Sequence, residues 1–250
     1  MLRKIYNAIR GRKKAPKSAV QKSVPLDIGA FEAEVFGKVT PYTMTSIDRV
    51  KCLIDSVNYI TKNRIEGDFV ECGVWKGGSV MAMAYTLIES KDTSRKIHLY
   101  DTFDGMSAPT DMDEDLKGVK ASERLASESK ETSWGWAYSP IDEVQKNIAS
   151  TGYPASNFNF IKGKAEDTIP SNVPSKIALL RLDTDWYEST RVEMEYLFPR
   201  LAKGGILIID DYGHWKGCRK AIDEYLEKNK IQIFLSRIDY TGRVAVKLND

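Results

Sequence analysis

The chain of 250 residues is 42% hydrophobic and 29% charged, with a formal net charge of +2, the balance of a globular protein large enough to bury one sizeable core. It holds no apolar run of 18 residues or more, which excludes a membrane-spanning helix. Three cysteines without CxxC spacing (Cys52, Cys72, Cys218) and two histidines (His98, His214) argue against a disulfide framework, a zinc site or a histidine-rich metal centre.

The charge is unevenly spread along the chain. Residues 1–22 carry eight Lys/Arg and no acid, which leaves 29 basic against 35 acidic residues in the remainder. This stretch lacks the apolar core of a signal peptide, so the protein is expected in the cytoplasm. Two readings of it stand: a solvated extension, or a weak contact with an anionic membrane surface, because Leu2, Ile5, Tyr6 and Ile9 recur at helical spacing. No nucleic-acid partner is expected. Residues 15–40 hold Pro, Ser and Gly without a clear period, so 1–40 reads as a basic extension and connector and 41–250 as one domain.

From Ile47 the apolar positions 47, 50, 53, 54, 57 and 60 follow a helical period. A regular alternation comes next. Strand-like runs at 67–74, 96–103, 157–163, 176–183 and 204–210 are separated by helical segments at 78–90, 139–151 and from about Tyr187. A helix over 216–229 leads to a final pair of strands, "IQIFLSRI" and "GRVAVKL". Strands alternating with helices predict an α/β, Rossmann-like fold: a mostly parallel sheet with helices on both faces. The last two strands are joined by too few residues for a parallel crossover, so they close the seven-stranded sheet with an antiparallel strand.

Open parallel sheets bind ligands beyond the carboxyl ends of their strands. The first tip delivers Glu71, Gly73 and the glycines of "VWKGGS", the second Asp101, the third Gly163 with Glu166 and Asp167, the fourth Asp183 and Asp185, the fifth Asp210 and Asp211. The first turn is glycine-rich but is not GxGxxG, and an acid so near it disfavours a pyrophosphate. Glu71 with a glycine turn and Asp101, placed for two ribose hydroxyls, fits S-adenosylmethionine; Asp101 by itself would also suit a dinucleotide. Asp183 and the Asp210–Asp211 pair come from successive units and can converge. Three close carboxylates repel, and a divalent cation relieves that conflict; hard oxygen ligands point to Mg²⁺, with Mn²⁺ and Ca²⁺ as chemical neighbours.

These motifs, "YTMTS" (42–46), "DFVECGVWKGGS" (68–79), "LYDTFDGM" (99–106), "LLRLDTDWYEST" (179–190) and "GGILIIDDYGHWKGCRKAIDEYL" (204–226), occur in the order seen in a known family. Over residues 40–250 the chain resembles the macrocin O-methyltransferases, S-adenosylmethionine- and Mg²⁺-dependent enzymes that methylate sugar hydroxyls of macrolide and aminocoumarin antibiotics. The resemblance implies the class I methyltransferase fold, Asp183, Asp210 and Asp211 as metal ligands, and a cofactor pocket built from Glu71, Gly73, Ser79 and Asp101. It extends that pocket to Thr102 and Phe103 beside Asp101, to Ala165 and Glu166, and to Met44 and Thr45 of the segment closing over the methionine end. It also suggests Asp183 as general base, with His214 as the rival. It implies a tendency to form homo-oligomers.

Residues 104–138 form a long insertion at the ligand end, expected to act as a lid. Its aromatic residues Trp134 and Trp136, with Tyr187 at the start of the next helical unit after the fourth tip, are candidates to touch the acceptor; packing of the lid onto the domain is the other reading of the tryptophans. The expected activity is methyl transfer to a hydroxyl of a sugar or glycosylated small molecule. The alternatives are a phenol or catechol acceptor, or a non-catalytic binding protein on the same fold; an NAD-dependent enzyme is disfavoured by the absent GxGxxG.

Overall fold

The computed structural model describes residues 25–131 and 134–249; the basic stretch over 1–22 and the roles expected of it lie outside them. In chain order the elements are α1 (Ala30–Val39), α2 (Ile47–Lys62), β1 (Asp68–Cys72), α3 (Gly78–Glu89), β2 (Ile97–Asp101), α4 (Ala121–Ala126), α5 (Ile141–Ala149), β3 (Phe158–Lys162), α6 (Ala165–Thr168), β4 (Ile177–Leu182), α7 (Tyr187–Tyr196), β5 (Leu201–Ile209), α8 (Lys216–Lys228), β6 (Ser236–Arg237) and β7 (Arg243–Val246). No helix among the described residues is long and apolar enough to cross a membrane.

The seven strands make one sheet in the order β3-β2-β1-β4-β5-β7-β6. The first five are mutually parallel, and β7 runs antiparallel to both β5 and β6. Both faces are covered, and the period of two along each strand shows it. Phe69, Leu99, Ile206 and Ile208 face one core with α1, α2, α3 and α5; Val70, Tyr100, Leu207 and Ile209 face the other with α7 and α8. The chain leaves β1 in one direction to β2 and β3 and returns to its other side with β4 and β5. That reversal opens a crevice between the tips of β1 and β4, the place where such sheets bind ligands.

Three boundaries differ from the sequence reading. The connector contains a helix: α1 packs against α2 and α3 and buries Val35 and Val39 completely. Its apolar positions are diluted by Glu32, Glu34, Gly37 and Lys38, which mask the period. Strand β5 starts at Leu201, ahead of the glycines that read as a turn. Gly204, at φ +81°, lets the strand bulge between its pairings of Leu201 with Ile177 and Ile206 with Leu179. At the far edge, β6 pairs only at Ser236 and Arg237; Ile231, Ile233 and Leu235 pack on the core without a ladder, and Phe234 is left exposed.

The burial of α1 has a measurable consequence. Val39→Ala is expected to cost about 1–3 kcal/mol of unfolding free energy, whereas Leu26→Ala, at a fully exposed position just upstream, should cost nothing measurable. Urea unfolding of both variants checks this, and equal midpoints would remove α1 from the cooperative core.

Candidate functional site

The crevice holds a cavity of about 500 Å³ whose wall includes residues from the tips of β1 to β5, the 42–45 segment and the 104–138 insertion. Its floor depends on glycine at two points. Gly73 sits at φ +81°, and a Cβ there would lie 2.0 Å from the carbonyl oxygen of Asp183, so the first and fourth tips touch backbone to backbone. A Cβ on Gly78 would meet the Tyr42 carbonyl oxygen at 2.5 Å. That close approach seats the 42–45 segment on the first turn of α3.

Of the residues expected to hold the cofactor, Met44, Thr45, Glu71, Gly73, Ser79, Asp101, Thr102, Ala165 and Glu166 all line this one cavity. The Asp101 carboxylate accepts the backbone N–H groups of Val74 (2.6 Å), Trp75 (3.1 Å) and Phe103 (2.6 Å), tying the first tip to the second. Burial raises its pKa, and those three N–H groups oppose the rise. Phe103 is a correction: only its backbone serves the site. Its φ of 49° swings the ring away from the cavity into the core, 6.1 Å from Phe160.

The acidic residues do converge. Asp183, Asp210 and Asp211 offer oxygens that all lie within 4.8 Å of one another. The sequence reading overlooked their organic counter-charge. Arg181, next to the carboxyl end of β4 and 2% exposed, donates to Glu71 Oε1 (2.5 Å), Asp183 Oδ2 (2.6 Å) and Asp210 Oδ1 (2.7 Å). Arg49, from the first turn of α2, binds Asp210 Oδ2 and lies 3.0 Å from Asp239 Oδ2. Ser46, the N-cap of α2, donates to the same Asp239 carboxylate at 2.8 Å. The visible signal was an arginine interrupting an otherwise apolar strand.

Five carboxylates, Glu71, Asp183, Asp185, Asp210 and Asp211, thus crowd against two guanidiniums. Burial, aided by the neighbouring carboxylates and opposed at Asp183 and Glu71 by Arg181, pushes Asp183 and Asp211 well above the usual carboxylate range and lifts Asp185 and Glu71 to about 7. Burial works against the charge on Arg181, yet the pull of Asp183, Asp210 and Glu71 outweighs it and raises its pKa. The Oδ2 atom of Asp211 is buried with no protein partner. An orphaned oxygen, hard donors and excess negative charge are the chemistry a divalent cation satisfies, and Asp183, Asp210 and Asp211 are the residues that would hold one.

His214 lines the cavity too. Its Nδ1 lies 3.0 Å from the Tyr240 hydroxyl, and its pKa is lowered by burial and by Arg124. The aromatic candidates separate. Trp134 lines the cavity, its ring 5.6 Å from that of Trp75. Trp136 does not: its indole N–H donates to the carbonyls of Leu125 and Glu128, pinning the insertion to itself. Tyr187 stands outside as well, its hydroxyl bound to Glu224 at 2.7 Å on the outer side of α7 and α8.

The insertion is docked by residues that sequence reasoning passed over. Asp113, 1% exposed, accepts the N–H of Tyr187 (2.7 Å) at the start of α7, and its other oxygen takes the Thr110 N–H and hydroxyl. Trp186 donates to the Ser107 carbonyl (3.0 Å), and Lys216 pairs with Glu114 (2.6 Å). Long-range pairs of this kind leave no local pattern.

Known proteins resemble this chain over most of its length. The family model described as macrocin-O-methyltransferase (TylF) matches residues 20–247. The 8-demethyl-8-(2,3-dimethoxy-alpha-L-rhamnosyl)-tetracenomycin-C 4'-O-methyltransferase of Streptomyces olivaceus is 31% identical over 239 residues, 92% of this chain and 88% of that one. The demethyldecarbamoylnovobiocin O-methyltransferase of Streptomyces niveus is 31% identical over 201 residues, 80% of this chain and 74% of the other. Among solved structures, the O-methyltransferase NovP superposes with a TM-score of 0.72 at 28% identity, covering 83% of each chain.

The charge cluster predicts its own pH dependence. Burial lifts Glu71 from 4.5 to about 7, so its proton favours the folded state fully below pH 4.5, and that contribution is lost as pH rises through 7. Arg181→Met removes the cation that makes the ionised cluster tolerable. The variant is expected to lose about 3–5 kcal/mol at pH 8 and less at pH 5, where Glu71 and Asp185 hold protons. Denaturant unfolding of wild type and variant at both pH values measures the difference; an equal deficit at each would sink the charge account.

Proposed function

The chain belongs to the macrocin O-methyltransferase family, and from that membership we propose that it moves the methyl group of S-adenosylmethionine to a hydroxyl of a sugar or glycosylated small molecule, with Mg²⁺ in the carboxylate cage. The observation that carries the reading is one cavity in which the glycine turn and Asp101 adjoin the Asp183–Asp210–Asp211 group. The relatives, O-methyltransferases of which one is named for a rhamnosyl-bearing molecule, support the class of acceptor.

The chemistry is an in-line displacement. The acceptor oxygen forms a bond to the methyl carbon as the carbon–sulfur bond breaks, the sulfonium becomes a neutral thioether, and the hydroxyl proton must leave. Glu71, beside the glycine turn, supplies negative charge where the cofactor's cationic end binds. In this reading Asp183 receives the proton: Arg181 fixes its carboxylate through Oδ2, and burial raises its pKa above the usual carboxylate range, which makes it a stronger base. A divalent cation held by the cage would lower the pKa of an acceptor hydroxyl and fix its position. His214, kept neutral by burial and bound to Tyr240, serves in this reading as a contact at the acceptor end. Trp134 offers an apolar face in the same wall.

A screen with labelled S-adenosylmethionine against nucleotide sugars, glycosides and phenols tests the acceptor class. Transfer confined to phenols would replace the sugar by a catechol-type acceptor, and binding of NAD in place of S-adenosylmethionine would end the reading. Chelation by EDTA is expected to abolish turnover and added Mg²⁺ to restore it. Asp183→Asn should lower kcat by about 10²–10⁴-fold, the range of a lost general base, while His214→Asn should lower it less than about tenfold. The reverse order would give the proton to His214.

A further inference from the structure

One buried acid near the site is unused by this chemistry. Glu193 lies on the inward side of α7 with no solvent exposure. Its Oε1 accepts the hydroxyl of Thr184 at 2.8 Å, its Oε2 is buried without a well-formed hydrogen bond, and the Cys72 thiol interacts with the same carboxyl. Its α7 neighbours Val192 and Met194 are apolar and buried, as an inward helix face requires. Burial lifts the Glu193 carboxyl to about 8, so it rests as a neutral acid at pH 7. A buried carboxyl with so few partners weakens the fold relative to an apolar side chain of the same size.

What Glu193 holds is the turn that carries the cage. Thr184 stands between Asp183 and Asp185 and lines the cavity. That turn is tightly wound and strained. Gly73 packs under the Asp183 carbonyl, Trp186 N–H returns to the Thr184 carbonyl at 2.8 Å, and Asp185 is held at a φ of 67°. A non-glycine residue in that conformation persists only where its surroundings enforce it. The Thr184 side chain links this turn to the inward side of α7, where Glu193 is its acceptor.

We propose that Glu193 is a positioning residue for methyl transfer: by fixing the Thr184 side chain from beneath, it holds the turn that aims the Asp183 and Asp185 carboxylates into the cavity. The proposal rests on the reading of that cavity as the methyl-transfer site. A misplacement of about 1 Å at such a site can cost on the order of 100-fold in rate, so a single tether outside the cavity suffices to matter.

Substitution can separate positioning from mere packing, because stability and activity should move in opposite directions. Glu193→Met keeps the volume and removes the acceptor. It is expected to lower kcat by about 10–100-fold, with the KM for S-adenosylmethionine within about threefold of wild type and the melting temperature unchanged or higher. Glu193→Gln retains an acceptor for Thr184 and should restore most of the turnover. Thr184→Val should lose activity by the same factor as Glu193→Met, and the double variant should lose no more than either. Crystal structures of the Met and Gln variants supply a readout independent of activity: the Asp183 and Asp185 carboxylates displaced in the first and unmoved in the second. Wild-type turnover in Glu193→Met, additive losses in the double variant, or unmoved carboxylates in the Met structure each overturn the proposal. A wild-type protein that methylates nothing in the acceptor screen overturns the functional reading instead, and the two structures then decide the positioning claim alone.

Discussion

A guanidinium buried in the middle of the sheet sets the terms for everything around it. Arg181 belongs to the central strand β4, directly beside Glu71 of β1 in the ladder, and the strand alternation that sends Leu180 and Leu182 to one core sends Arg181 to the other face. From there it binds carboxylates of three strand tips at 2.5–2.7 Å. Charge-assisted bonds of this length are strong and directional, but two or three ions taken from water into a core rarely add net stability. The arrangement makes sense as geometry. It fixes where Glu71, Asp183 and Asp210 sit relative to one another before any ligand arrives.

The same arginine also limits the site's charge. With Arg49 it offsets only part of five carboxylates, so the floor of the pocket stays acidic beside Glu71 and among the three aspartates. Arg49 is itself placed by Asp239 of the C-terminal hairpin and by the cap of α2. The 42–46 segment, through the cap of α2, and the C-terminal hairpin therefore meet at Arg49 beside Asp210.

Much of this was legible from residue order, because the signals were local. The strands of the parallel sheet are short apolar runs, and their acidic ends fall where the topology puts ligands. What escaped depends on contacts between distant residues. An arginine inside "LLRLD" says nothing about three partners up to 110 positions away. The acid at 113 looks like any other in a polar loop until it is found capping α7. Trp136 and Tyr187 have the composition of acceptor contacts, yet their polar atoms are committed elsewhere. Periodicity failed at α1 because a helix that packs through only part of one face, with a glycine inside, carries too little pattern to stand out.

The insertion divides unevenly, and its division bears on how acceptor choice can change. Residues 107–120 form a fixed collar, bonded through Ser107, Asp113 and Glu114 to the turns that begin α7 and α8, so altering them would disturb the loops that carry the aspartates. Beyond residue 120, α4 and Trp136 bond mainly within the insertion, and the Met106 N–H closes its base on the Trp136 carbonyl at 2.8 Å. That half is a cassette. It contributes Arg124, Leu125 and Trp134 to the cavity wall while leaving the aspartate cage to its own bonds, which is the partition a family needs to trade one acceptor for another without rebuilding its catalytic floor.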